Sequence, residues 1–263
     1  MNKSTEGPVY HLNLNREDIQ GARIALIPGD PGRVPRIAKL VHSQAHEIAY
    51  NREFRTFICS FKNENILVTS TGIGGPSTSI VVEELAQLGI RSFIRVGTTG
   101  AIQENIEVGD VIISTASVRL DGTSVDYAPI EYPAVASHEI TQALIEAVQS
   151  LGIRFHVGIT ASQATFYPGQ ERCDTYSGSV IPRIKGALEK WQSLKVLNYE
   201  MESATLFVTC STLGLRAGCV TGVVSNLVKQ TIIQKSGLEL AEQRAIQVAV
   251  KTLDVLILPK FLS

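Results

Sequence analysis

ILVTSTGIGGPSTSIVVEELAQLGIRSFIRVGTTG, residues 66–100, contains a strand, a glycine turn, a helix and a second strand in immediate succession. Ile66-Leu67-Val68-Thr69-Ser70 is a nearly continuous apolar run, the pattern of a strand buried on both faces. Thr71-Gly72-Ile73-Gly74-Gly75-Pro76 interrupts it. Over residues 77–88 apolar side chains recur at Ile80, Val81, Leu85 and Leu88, a helical period, and Gly89 stops the helix. Ser92-Phe93-Ile94-Arg95-Val96 is the next strand and runs into Gly97-Thr98-Thr99-Gly100. Strand, helix and strand at this spacing predict a parallel crossover unit.

The same rhythm extends in both directions. Upstream, residues 24–28 (IALIP) read as a strand leading into the turn Gly29-Asp30-Pro31-Gly32. Downstream, strands are expected at 110–116, 154–160 and 217–224, and helices at 138–151, 203–213 and 238–256, with Pro259 closing the last. Alternation of this kind predicts an α/β fold, a mainly parallel sheet covered on both faces. No internal repeat or linker-like composition divides the chain, so residues 1–263 are read as one domain.

Composition narrows the function. At 263 residues and 44% hydrophobic content, the chain can bury a full core. The 24 basic and 25 acidic residues give a net charge of −1, without the basic surplus that nucleic-acid or acidic-membrane binding leaves. No apolar run approaches the ~20 residues of a membrane span, and MNKSTEGPVYHLNLN lacks the apolar core of a secretory signal. The expectation is a cytoplasmic protein with no membrane partner. Cys59, Cys173, Cys210 and Cys219 show no C-x-x-C spacing and read as reduced thiols. His42 and His46 stand at helical spacing without a third ligand, so no zinc site is expected.

Ligands of such sheets bind beyond the carboxyl ends of the strands. An arginine inside the apolar run 92–96 requires a partner, because an unpaired buried guanidinium costs several kcal/mol. Either a neighbouring carboxylate or an anionic ligand can meet Arg95. Gly97-Thr98-Thr99-Gly100 favours the ligand, since hydroxyls and bare backbone N–H groups at a strand end cradle anions. Gly29 and Arg33 add a second such loop, and the planar fork of arginine matches phosphate oxygens. Neither loop matches the phosphate loop of nucleotide triphosphatases, and no strand–G-x-G-x-x-G–helix unit is present.

Read together, these residues resemble the nucleoside phosphorylase-I family. The resemblance is carried by His11-Leu12, residues 27–34 (IPGDPGRV), Arg52-Glu53-Phe54, residues 70–77 (STGIGGPS), residues 95–100 (RVGTTG), residues 166–172 (FYPGQER) and residues 198–203 (NYEMES). It spans nearly the whole chain in order. It implies a single domain on a mixed central sheet, distorted into a partial barrel and flanked by helices, and a hexamer built as a trimer of dimers. It also implies phosphorolysis of a pyrimidine nucleoside, uridine first, with deoxyuridine and thymidine open, giving free base and a pentose 1-phosphate.

By that resemblance Gly29, Arg33, Arg95 and Thr98 bind inorganic phosphate, the co-substrate, and Arg52 reaches the phosphate of a neighbouring subunit. Ribose falls to Thr98, Glu200, Met201 and Glu202, with His11 from the partner closing over it. The base falls to Thr99, Gly100, Phe166, Gln170, Arg172 and Val224. Arg95, Glu202 and Arg172 form the catalytic set. Glu53, Ile73 and Ser77 match a monovalent cation site, K+, at the dimer interface, and no organic cofactor is implied.

The residue chemistry agrees with these roles and leaves bland alternatives. Glu202 or Glu200 could equally serve as a carboxylate at the N-terminus of the helix that begins near Ser203. Gln170 pairs an acceptor with a donor, as N3–H and a carbonyl of uracil require, and Arg172 can stabilise charge on a departing base. Purine-cleaving relatives place a proton-donating aspartic acid where this chain has Asn226, which favours a pyrimidine. One departure stands out. Close members read Asn-Arg where this chain reads Asn226-Leu227, so a guanidinium on the O4 side of uracil is lost, with Lys229 as a substitute. The segment 227–237 is the corresponding lid. A purine phosphorylase, a water-using nucleosidase and a weakly catalytic nucleoside-binding protein are the rival readings.

Overall fold

The computed structural model describes residues 7–172, 174–231 and 233–257; Cys173 and Pro259 lie outside the described residues. In chain order the elements are β1 (Ile24–Ile27), α1 (Val34–Val41), β2 (His46–Asn51), β3 (Phe54–Phe61), β4 (Glu64–Thr69) and α2 (Gly75–Leu88). Then follow β5 (Ser92–Ala101), β6 (Val111–Leu120), β7 (Ala134–Val135), α3 (His138–Ser150), β8 (Phe155–Gln163) and α4 (Ala187–Ser193). The chain ends in β9 (Asn198–Glu200), α5 (Ser203–Thr212), β10 (Arg216–Asn226) and α6 (Lys235–Leu256).

All strands belong to one mixed sheet in the order β10-β6-β8-β9-β5-β1-β4-β3-β2, with β7 on β6. The crossover unit is as expected: β4, β1 and β5 are parallel neighbours, with Ile24 opposite both Ile66 and Ser92. An additional β10–β5 pairing closes β5, β10, β6, β8 and β9 into a barrel-like ring. Register shifts at Ser114/Ala116 in β6 and Val223/Ser225 in β10 supply the local bends that ring closure needs. Helices cover both faces. Val81 and Leu85 of α2 pack with Leu206 and Phe207 of α5 on one side, and Ile37 of α1, Leu144 of α3 and Ala249 of α6 share the other.

Several boundaries differ from the sequence reading, each for a physical reason. Gly97-Thr98-Thr99-Gly100 is not a loop. β5 runs on to Ala101 because β10 pairs with it through Thr221↔Gly97 and Val223↔Thr99, and β9 through Gly100↔Tyr199. A Cβ on Gly97 would lie 2.8 Å from an Arg95 guanidinium nitrogen, so glycine there makes room for the buried arginine. The hairpin β2–β3 escaped the sequence reading because β2 is half exposed and carries no continuous apolar run. α2 starts at Gly75, with Pro76 in its first turn, and α6 starts at Lys235, three residues ahead of the apolar period. Cys59, Cys210 and Cys219 are buried free thiols, and burial pushes Cys59 and Cys219 up to about 12.

Candidate active site

A cavity of about 730 Å³ opens where β1, β5, the β9–α5 junction, the 166–172 loop and the start of α6 meet. Of the residues singled out in the sequence, it brings together Gly29, Arg33, Glu53, Ile73, Arg95, Thr98, Thr99, Gly100, Phe166, Gln170, Arg172, Glu200, Met201, Glu202 and Val224. These come from seven separate segments of the chain, so the convergence is a property of the fold.

At one end stand two arginines. Arg33 sits at the start of α1 and is 8% exposed; Arg95 lies in β5 and is 5% exposed. Arg95 Nε donates to Glu200 at 2.8 Å, and its Nη2 lies 2.5 Å from Glu202. Of the two alternatives for the partner of Arg95, the structure shows the carboxylate one: Glu200 and Glu202 balance the charge, while the guanidinium also lines the cavity. Burial alone would lower the Arg95 pKa, but Glu202 and Glu200 hold it above its ordinary value, so the guanidinium stays charged. Arg33 Nη2 donates to Glu242 at 2.6 Å, and Glu242 also takes Arg36 Nη1 at 2.7 Å.

The two carboxylates of Glu200-Met201-Glu202 divide their work. Glu200 accepts the N–H groups of Glu202 (2.9 Å) and Ser203 (3.0 Å) and the Ser203 hydroxyl, so it caps α5. Glu202 makes no side-chain cap; one oxygen accepts the Gly74 N–H at 2.6 Å and the other meets Arg95. The capping alternative thus belongs to Glu200. Burial raises the Glu202 carboxyl above its ordinary range, against the opposing pull of Arg95.

The opposite end is apolar and carries one amide and one cation. Gln170, 2% exposed, accepts Arg172 Nε and Nη2 at 3.2 and 3.1 Å. The Arg172 guanidinium lies 3.8 Å from the centroid of the Phe166 ring. Val224, Ile233 and Leu238 complete the walls. The Thr99 hydroxyl is already spent, donating to Tyr199 O and accepting from Asn198 Nδ2, both at 2.6 Å.

Three sequence candidates do not reach this cavity. Arg52 is exposed at the tip of the β2–β3 hairpin, in the left-handed region at φ 55°. His11 is turned to Glu84, with Nδ1 2.6 Å from the carboxylate. Ser77 lies outside the lining residues, its hydroxyl 3.2 Å from the Ile73 carbonyl. Asn51 Nδ2 donates to His11 O at 2.8 Å, so the hairpin tip and His11 form one edge of the molecule.

Position 226 needs a correction. Asn226 is 1% exposed and does not line the cavity. Its amide donates to Gln103 O and Ile106 O at 2.8 and 2.9 Å and accepts the N–H groups of Val228 and Lys229. It holds the turn after β10 and gives no direct reading of the base. Nor does Lys229 replace a lost guanidinium, because its ammonium pairs with Glu107 on the surface. Leu227 fills the space itself: a Cβ on Gly100 would meet Leu227 Cδ1 at 2.5 Å and Arg172 Nη2 at 3.5 Å.

Glu84 and Glu242 escaped the sequence reading, although a signal existed. Each is a carboxylate on the buried stripe of its helix, Glu84 between Val81 and Leu88, Glu242 beside Ala241, Ala245 and Ile246. A charge at such a position requires a partner.

Residues 23–257 match the family described as "Phosphorylase superfamily". The chain is 54% identical over 247 residues to the uridine phosphorylase of Escherichia coli K12, covering 94% of this chain and 97% of that protein. It is 53% identical to that of Salmonella typhimurium over the same shares. To the uridine phosphorylase of Haemophilus influenzae it is 52% identical, over 95% of this chain and 98% of the relative. With the cavity, the ring-closed sheet and these similarities in agreement, the chain belongs to the phosphorylase superfamily.

Proposed function

We propose that this protein catalyses the reversible phosphorolysis of uridine, giving uracil and ribose 1-phosphate, as a pentosyltransferase of pyrimidine salvage. The observation that carries the proposal is one cavity with a two-arginine end, a carboxylate in the middle and a Gln170–Arg172–Phe166 cluster at the other end. The relatives described above bear the name uridine phosphorylase.

The chemistry follows from that order. Phosphate binds at Gly29, Arg33, Arg95 and Thr98 and attacks C1′ from the face opposite the base. The C1′–N1 bond breaks as the C1′–O bond forms, through an oxocarbenium-like state. Glu202, with Met201 beneath the sugar, accepts ribose hydroxyls and favours positive charge at C1′. Electrons of the broken bond pass to N1 of uracil, whose carbonyl face Arg172 stabilises and whose imide edge Gln170 reads; the departing anion takes up the proton that the hydrogen phosphate gives up, through solvent. No covalent intermediate is required, because the site acts by positioning and electrostatics. Val224, Ile233 and Leu238 add apolar walls to the cavity, which suits the 5-methyl group of thymidine and keeps it among the substrates, and deoxyuridine stays open at the sugar.

Arg52 and His11 serve a neighbouring subunit in this reading. Both are displaced from their own cavity and share one edge, which supports a dimeric catalytic unit within a hexamer. The Glu53 side chain and the Ser77 hydroxyl both approach Gly72, and the Ser77 hydroxyl lies 3.2 Å from the Ile73 carbonyl, which supports placing K+ beside these residues at that edge. The buried thiols fit a reducing, cytoplasmic setting.

The test is chromatographic release of free base from uridine, thymidine and inosine, each with and without phosphate. Uracil release only with phosphate is the expected result. Release without phosphate makes the protein a nucleosidase, inosine cleavage alone defeats the pyrimidine assignment, and binding without turnover leaves a nucleoside sensor.

A further inference from the structure

We infer that Glu242, on α6, is a positioning residue for phosphate, holding the Arg33 guanidinium in its binding orientation; this rests on the phosphorolysis reading. Arg33 lines the cavity but does not aim itself. Its own backbone belongs to the start of α1, more than two hundred residues from Glu242 in sequence. The guanidinium is fixed by two contacts: Nη2 donates to Glu242 Oε1 at 2.6 Å, and Nη1 donates to Val96 O at 3.4 Å. The second is long, so the carboxylate dominates. Arg33 Nε is buried with no hydrogen-bond partner. With five N–H donors on a guanidinium, each terminal nitrogen keeps one hydrogen for an anion in the cavity.

The second oxygen of Glu242 is not idle. Oε2 accepts Arg36 Nη1 at 2.7 Å, so one carboxylate is clasped between two guanidiniums. The Glu242 side chain is 10% exposed and that of Arg33 is 9%, whereas that of Arg36 is 52%. Two cations against one anion leave the cluster a net positive charge, which attracts phosphate, while the carboxylate makes a buried Arg33 tolerable. The arrangement repeats the one at Arg95, where Glu200 fixes Nε. Both arginines that line the cavity therefore have an orienting carboxylate. Glu242 also lies about one helical turn beyond Leu238, a wall of the cavity, so α6 both lines the cavity and carries the residue that orients Arg33.

The experiment compares steady-state constants of Glu242→Gln with wild type, and phosphate binding by calorimetry without nucleoside. The variant keeps the shape of the side chain but loses the charge. The expected result is a phosphate KM raised about tenfold, with the uridine KM within about twofold of wild type. A residue with a structural role only would lower the unfolding midpoint and leave both KM values alone, which overturns the inference. Combining it with Arg33→Ala provides the second readout: a positioning role makes the two effects on phosphate KM non-additive, and additivity overturns it. If Glu242→Gln does not fold, Glu242→Asp, which keeps the charge on a shorter arm, is expected to raise the phosphate KM selectively; an unchanged constant overturns the claim. Absence of phosphate-dependent turnover in the wild type is a different failure, that of the phosphorolysis reading. Calorimetric phosphate affinity still tests Glu242 in that case: about tenfold weaker binding supports the inference, and unchanged binding overturns it.

Discussion

Arg95 Nη2 lies 2.5 Å from a carboxylate oxygen of Glu202, so the two-arginine end of the cavity and the carboxylate beside it share one ion pair. Glu200 completes the cluster from the Nε side at 2.8 Å. Arg95→Ala would leave two buried carboxylates facing each other without a counter-charge. Breaking a buried pair by removing one partner costs about 3–5 kcal/mol. The variant is therefore expected to lose stability by that order and to lose nearly all turnover. Urea unfolding checks the first part; a midpoint equal to wild type would mean that the carboxylates find relief elsewhere.

The same burial sets a pH dependence. In the proposed reaction Glu202 has to be ionised to accept ribose hydroxyls, and burial raises its pKa above the ordinary 4.5 despite the pull of Arg95. A raised carboxyl pKa means that the ionised form is lost at a higher pH as the solution is acidified. The acid limb of kcat/KM for uridine, at saturating phosphate, is thus expected above pH 4.5. Glu202→Gln should remove that limb along with most activity. An acid limb that persists unchanged in the variant assigns it to another group.

Much of this was legible in the sequence, and what was not has particular causes. The crossover β4–α2–β5 shows because its strands are buried on both faces and its helix has a clean apolar period. Arg95 shows because a charge in such a strand is costly. The β2–β3 hairpin does not show, since a half-exposed strand mixes polar and apolar residues. Gly97–Gly100 looked like a loop by composition, and only the long-range pairing with β10 and β9 makes it strand. Partnerships such as Arg33–Glu242 span the chain, so no local pattern encodes them. Position 226 misleads for the same reason: its neighbours in space, Gln103 and Ile106, turn its side chain away from the cavity.

That geometry makes Asn226→Asp informative. The amide donates to two backbone carbonyls, and a carboxylate there would place negative charge against both while the group is 1% exposed. Lost donors and an uncompensated buried charge are expected to destabilise the protein by about 2–4 kcal/mol. No inosine cleavage should appear. Thermal unfolding and the base-release assay check the two parts, and a stable variant that cleaves inosine would show that position 226 reaches the base.

Leu227 offers the sharpest test of base specificity. Its Cδ1 occupies the space above Gly100, close to Arg172 Nη2, and it packs against Ile102, Ala161 and Tyr199. Arg172, which lines the cavity at the end proposed for the base, then stands beside an apolar corner. Leu227→Arg would place a second guanidinium at that corner. Its repulsion with Arg172 would be offset once a carbonyl oxygen lies between them. A hydrogen bond from a charged group contributes about 1.5–3 kcal/mol, which predicts at least a roughly tenfold gain in kcat/KM for uridine. Thymidine, whose 5-methyl group favours an apolar neighbour over a charged one, should gain less. Leu227→Met, which conserves volume, should leave both substrates nearly unchanged. Initial rates at saturating phosphate decide it: equal gains for uridine and thymidine would place the corner away from the 5-position, and no gain for either would show that Arg172 already satisfies the base alone.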